Sequence, residues 1–111
     1  MFELSTESND GNNVVISVKG EIDIYSAPDF KESLYQSISN VQQNIILDFS
    51  NLTYIDSMGL GILVGALKRV REKDRNITIR NPRSTVRKLF RITGLDKVFI
   101  IETDYMKSSG K

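Results

Sequence analysis

The chain has 111 residues, enough for one small domain and too few for two. Its 15 Lys and Arg nearly balance 14 Asp and Glu, so no overall field draws it onto nucleic acid or an anionic membrane. With no Cys and no His, thiolate or imidazole zinc sites, disulfides, Cys nucleophiles and His-based triads are excluded, whereas carboxylate-only metal sites are not.

The opening MFELSTESND has no basic segment followed by an apolar run, so it does not read as a secretory signal. Phe2, Leu4 and Thr6 alternate with polar residues, as do Val14, Ile16 and Val18. The turn formers from Asn9 to Asn13 lie between them, which predicts two antiparallel strands. Ser26-Ala27-Pro28-Asp29 then predicts a helix start, with Ser26 as cap, Pro28 in the first turn and Asp29 reaching back as a capping-box carboxylate. Ala27, Phe30, Leu34, Ile38 and Val41 give that helix one apolar stripe. The run from Asn44 to Phe49 is short and continuously apolar, which predicts a central strand buried on both faces.

A second helix is expected from about Asp56-Ser57 to Lys73, with Leu60, Leu63, Val64, Leu67 and Val70 as its core stripe. Ile77 and Ile79 mark another strand. Asn81 as cap and Pro82 at the first position open a third helix, which buries Val86, Leu89 and Phe90. Gly94 followed by Leu95 predicts a left-handed helix stop. Val98 to Ile101 reads as the last strand, and the polar tail from about 103 to 111 as frayed, with a short helical turn as an alternative. The expected class is α/β: a mixed sheet with an N-terminal antiparallel hairpin and helices packed against it, in a single domain over residues 1–111. The longest apolar stretch, Met58 to Leu67, is about half what a membrane span requires. A cytoplasmic, monomeric protein is expected, and the missing Cys fits a reducing compartment.

The segment from Tyr54 to Gly65 carries the most information. Gly59, Gly61 and Gly65 fall in one helix, each costing about 1 kcal/mol relative to Ala, so close backbone approach to a neighbour or a partner must favour them. A dinucleotide fingerprint fails because Val64 stands where its third Gly belongs. No Gly-Lys-Ser/Thr forms a phosphate loop, and Ile55 occupies the position where a nucleophile elbow needs Gly. Two readings stay open for the helix start. Asp56 or Ser57 is a cap and nothing more, or Ser57 is a phosphorylation site whose phosphoryl group faces unpaired N–H groups and the positive end of the helix dipole. At about 100° per residue, Ser57, Met58, Gly61, Ile62 and Gly65 wrap away from the core stripe, and Arg69 shares their side. That strip is either a docking surface or, at Ile62, a contact with a neighbouring helix. Leu60, in the first turn, is expected to contribute despite its angle.

Three segments resemble the STAS-domain anti-sigma factor antagonists: Gly20 to Pro28 (GEIDIYSAP), Tyr54 to Gly61 (YIDSMGLG) and Leu89 to Leu95 (LFRITGL). The first is most similar to the general-stress, sigma-B branch. The resemblance implies a binding protein rather than an enzyme, with no cofactor or resident metal. Its unphosphorylated form binds an anti-sigma factor that is also a serine kinase and so frees the sigma factor. The kinase phosphorylates the serine that matches Ser57, and a serine phosphatase reverses the mark. The partner-binding residues implied are Asp23, Asp56, Met58, Gly59, Leu60, Gly61 and Ile62, with Asp23 lying near the Ser57 loop. Met58 departs from the family pattern, which usually has a small or hydroxylated residue there. An alternative is a STAS interaction module in a stressosome-like scaffold or a lipid-transport assembly. A nucleotide-binding or nucleotide-hydrolysing domain is the rival from another class, weakened by the missing phosphate loop.

Overall fold

In a computed structural model, residues 1–103 are described. They form β1 (Phe2–Asn9), β2 (Asn13–Ile22), α1 (Ala27–Ser39), β3 (Asn44–Asp48), β4 (Leu52–Ile55), α2 (Ser57–Arg71), β5 (Ile77–Arg80), α3 (Ser84–Ile92) and β6 (Ile100–Glu102). The mixed sheet runs β1-β2-β3-β5-β6, antiparallel at the first pair and parallel elsewhere. The hairpin is as expected, and Asp10 closes its turn by accepting from the N–H groups of Asn12 and Asn13 at 2.9 and 2.7 Å.

Strand alternation sends Val14, Ile16, Val18, Ile45, Leu47, Ile77 and Ile79 to one face, all fully buried. Phe30, Leu34 and Ile38 of α1, Leu60, Leu63 and Leu67 of α2, and Val86 and Phe90 of α3 join them in one core. Since all three helices direct their buried side chains to that core, β3 is buried on one face only. Ile46 and Asp48 on its other face are half-buried, which corrects the expectation of a strand covered on both sides.

The sequence reading missed β4. β3 ends at Asp48, whose carboxylate accepts from both the N–H and the hydroxyl of Ser50, and the chain turns. It then resumes beside the far half of the same long strand, with Gly20↔Leu52 and Ile22↔Ile55 in parallel register. The register shifts after Gly20, which has φ +93°. A Cβ there would collide with the Met1 carbonyl, so only glycine fits. Four residues with two buried positions give too little periodicity to mark a strand.

Several local expectations change. Ser26 precedes α1 but makes no cap hydrogen bond; its hydroxyl is engaged with Asp23 instead. Asp29 makes no hydrogen bond back to Ser26 among the described residues. Val41 lies past the end of α1 and is half-buried. Asn81 is not the cap of α3. It adopts a left-handed φ of 54° and donates its N–H to the Glu102 carbonyl, so α3 starts later, after Arg83. Gly94 is left-handed at φ +77° and donates its N–H to the Arg91 carbonyl at 3.1 Å, as a helix stop requires. Leu95–Lys97 form a 3-10 turn, which delays β6 to Ile100 and leaves Val98 outside it. Thr103, expected in the frayed tail, is buried; the rest of that expected tail, 104–111, lies outside the described residues. No helix among the described residues is long and apolar enough to cross a membrane.

Candidate functional site

The site is built where β2 and β4 end side by side. Ile22 pairs with Ile55, so Asp23 and Asp56 each stand one residue past the same rung. From Asp56 the chain turns into α2. Asp56 is in extended conformation (φ −109°, ψ −173°), and its Oδ1 accepts from the N–H groups of Met58 at 3.1 Å and Gly59 at 3.2 Å. It is a working N-cap, which satisfies two of the N–H groups that every helix start leaves unpaired.

Ser57 is therefore the first helical residue rather than the cap. It is exposed, and its hydroxyl makes no hydrogen bond among the described residues. The cap reading belongs to Asp56, and the Ser57 hydroxyl is left with no structural task of its own. Met58 follows, 48% exposed and outside the core cluster.

The three glycines of α2 divide. A Cβ on buried Gly59 would sit 2.6 Å from Ile55 Cγ1 and 3.1 Å from Ile22 Cγ2, so this glycine seats the helix on the sheet. A Cβ on Gly65 would collide with the Tyr35 hydroxyl, which donates to the Ile62 carbonyl at 3.3 Å, while the Arg69 guanidinium stacks 4.5 Å from the Tyr35 ring centre. Gly65 and Arg69 thus serve helix-helix packing between α1 and α2, not an outside partner. Gly61 alone is exposed, with nothing within 4 Å of an added Cβ. Ile62 is half-buried against the core. Leu60 is 3% exposed and belongs to the core, and Gly59 is buried too, so neither is reachable from outside the domain. The reachable strip is Ser57, Met58, Gly61 and the outer part of Ile62.

Asp23 organises the neighbouring loop. Its Oδ1 accepts from the N–H groups of Ser26 at 2.9 Å and Tyr25 at 3.0 Å and from the Ser26 hydroxyl at 3.1 Å. The Ser26 N–H is the main cause that holds the Asp23 carboxyl below its ordinary range; desolvation opposes it, and the Ser26 hydroxyl, the Tyr25 N–H and the N-terminal charge add to the lowering. The bent loop projects Ile24, 58% exposed, and Tyr25, 89% exposed. On the other side of Ser57 a shallow hollow separates Tyr54, Asp56 and Ser57 from Thr85, Val86 and Leu89 of α3.

A model of the STAS domain matches residues 3–107. The chain belongs to the STAS-domain family. A Listeria monocytogenes protein named anti-sigma-B factor antagonist is 35% identical over 91% of this chain and 89% of its own length. Among solved structures, the anti-sigma factor antagonist SpoIIAA in its unphosphorylated form superposes with a TM-score of 0.74 at 25% identity, covering 98% of both chains. The Bacillus cell fate determinant SpoIIAA in its phosphorylated form does so with a TM-score of 0.67 at 25% identity, over 96% of this chain and 97% of that one. The STAS fold, with its hairpin and mixed sheet, is as the sequence resemblance implied.

Sequence reasoning passed over Ile24 and Tyr25 as site residues, although they sit inside one of the segments that carried the resemblance. Two apolar residues between a strand end and a helix start were the available signal. Tyr54 and Leu89 also lie in segments that carried the resemblance, whereas Thr85 had no signal; nothing in the sequence showed that β4 and α3 meet at the hollow, which only the fold brings about.

Proposed function

We propose that this STAS domain is an anti-sigma factor antagonist, active when Ser57 is unmodified and switched off when it is phosphorylated. The observation that carries the reading is the Ser57 hydroxyl: exposed, unbonded among the described residues, and held at the first position of a helix that Asp56 already caps. The relatives named as anti-sigma-B factor antagonists support the general-stress branch, and the phosphorylated SpoIIAA structure supports a phosphoprotein switch. The partner is an anti-sigma factor with serine kinase activity, and a serine phosphatase restores the active form. The domain acts in the cytoplasm by binding, as a monomer, and catalyses nothing itself.

The docking surface comprises Ser57, Met58, Gly61 and the edge of Ile62, flanked by Asp23, Asp56 and the exposed Ile24 and Tyr25. Phosphorylation adds about −1.5 to −2 charge at its centre. The helix N-terminus tolerates that charge, so the domain stays folded. Docking then has to desolvate a dianion beside two carboxylates, at a cost of several kcal/mol, and about 2.7 kcal/mol suffices for a hundredfold loss of affinity.

The test is incubation with ATP and the anti-sigma factor of the source genome, followed by peptide mass spectrometry and calorimetric binding. One phosphate on Ser57 and a loss of affinity of about a hundredfold are expected. Ser57→Ala should accept no phosphate yet bind, and Ser57→Asp should weaken binding only in part, since one charge replaces about two. A Ser57→Ala variant that folds but never binds would make Ser57 a direct contact and remove the switch.

A further inference from the structure

We infer that Met58 is an oxidation site that gates the docking surface independently of Ser57; the gate rests on the docking reading above. The chain has 3 methionines and no cysteine, so its sulfur chemistry is confined to thioethers. Met58 lies on the first turn of α2, directly after Ser57; the residue is 48% exposed and outside the core. Its backbone is fixed by the N–H bond to Asp56, so the sulfur is presented from a rigid helix start rather than a wandering loop. Gly61, one turn on, is exposed and carries no side chain.

A peroxide supplies the oxidant. With hydrogen peroxide, the O–O bond breaks as the sulfur donates an electron pair to form the S–O bond, the transferred oxygen's proton passes to the departing hydroxide, and water leaves. Sulfur is oxidised by two electrons and the peroxide reduced by two. The product, methionine sulfoxide, turns a flexible apolar side chain into a polar one at the middle of the strip. Docking must then bury a sulfoxide oxygen that a partner shaped for a thioether does not pair, which weakens binding about tenfold. The core is untouched, so the fold persists. Two external thiols reduce the sulfoxide: they become a disulfide, its oxygen leaves as water, and the surface is reset without any phosphatase.

The full chain is treated with hydrogen peroxide, and peptide mass spectrometry follows the gain of one oxygen at Met1, Met58 and Met106. Binding to the anti-sigma factor of the source genome is measured before and after, for the natural chain and for Met58→Leu. Expected are sulfoxide at Met58, an unchanged thermal midpoint and an affinity drop of about tenfold, with no peroxide response in Met58→Leu. The proposal is overturned if Met58 stays reduced while Met1, 91% exposed, is fully oxidised. It is overturned equally if the Met58 sulfoxide binds with unchanged affinity, or if Met58→Leu loses as much on treatment as the natural chain. Failure of the untreated chain to bind is a separate result. It overturns the docking reading itself, and the gate with it.

Discussion

Replacing the three glycines of α2 one at a time by alanine should give three different outcomes from one chemical change. In each case the helix gains about 1 kcal/mol of propensity. At Gly61 nothing opposes it, because no atom lies within 4 Å of the new Cβ. Gly61→Ala should therefore stabilise by close to the full amount and raise Tm by roughly 3–6 °C for a domain of this size. At Gly59 the methyl would lie 2.6 and 2.9 Å from Ile55 Cγ1 and Cδ1. Ile55 is β-branched, in a strand and 4% exposed, so it has little freedom to give way. Overpacking of this kind costs about 1–3 kcal/mol, which exceeds the propensity gain and leaves Gly59→Ala about 1 kcal/mol less stable. At Gly65 the obstacle is the far end of half-exposed Tyr35, which can swing away. The swing forfeits the hydrogen bond to the Ile62 carbonyl and the stacking of Arg69, each worth about 0.5–1 kcal/mol, so Gly65→Ala should fall between neutral and about 1 kcal/mol destabilised. Urea and thermal unfolding of the four proteins measure the order, Gly61→Ala above the natural chain, then Gly65→Ala, then Gly59→Ala. Equal stabilisation by all three would refute the packing argument, since propensity alone would then account for the series.

Asp56→Ala removes the acceptor of two helix-start hydrogen bonds and should lower stability by about 1 kcal/mol, read as a lower urea midpoint at constant m-value. Asp23 gives a pH dependence of known sign. Its folded-state pKa lies below the ordinary 3.8, so its contribution to stability is complete above that value and is lost as pH falls through the lower, folded one. A carboxyl titration followed by NMR should place the Asp23 midpoint below 3.8, and Asp23→Asn should flatten the acid limb of the stability curve.

The elements that sequence could reveal are those with enough length for a period to show. The hairpin alternates cleanly, and Leu60, Leu63, Leu67 and Val70 of the α2 stripe are buried, with Val64 half-buried beside them. The left-handed Gly94 was legible because a single residue type dominates that backbone region. Shorter signals misled. Ser26 and Asn81 look like caps, yet Ser26 bonds Asp23 and Asn81 serves the β6 edge, because a side chain that can cap can also bond whatever the fold brings nearer. Ser57 and its adjoining strip could be found from one segment of chain. Which of its members face outward could not. Leu60 and Gly59 are withdrawn because β4 carries α2 onto Ile22 and Ile55, and Gly65 is occupied by a tyrosine 30 positions earlier. Ile24 and Tyr25 come beside the start of α2 because β2 ends in register with β4, and the hollow forms because α3 packs near β4. Sequence alone determined the local periods, the helix start at Asp56-Ser57 and the family likeness, since these depend on neighbours along the chain. Which residues of the strip beside Ser57 are exposed depends on contacts between residues far apart in sequence, and only the tertiary structure decided it.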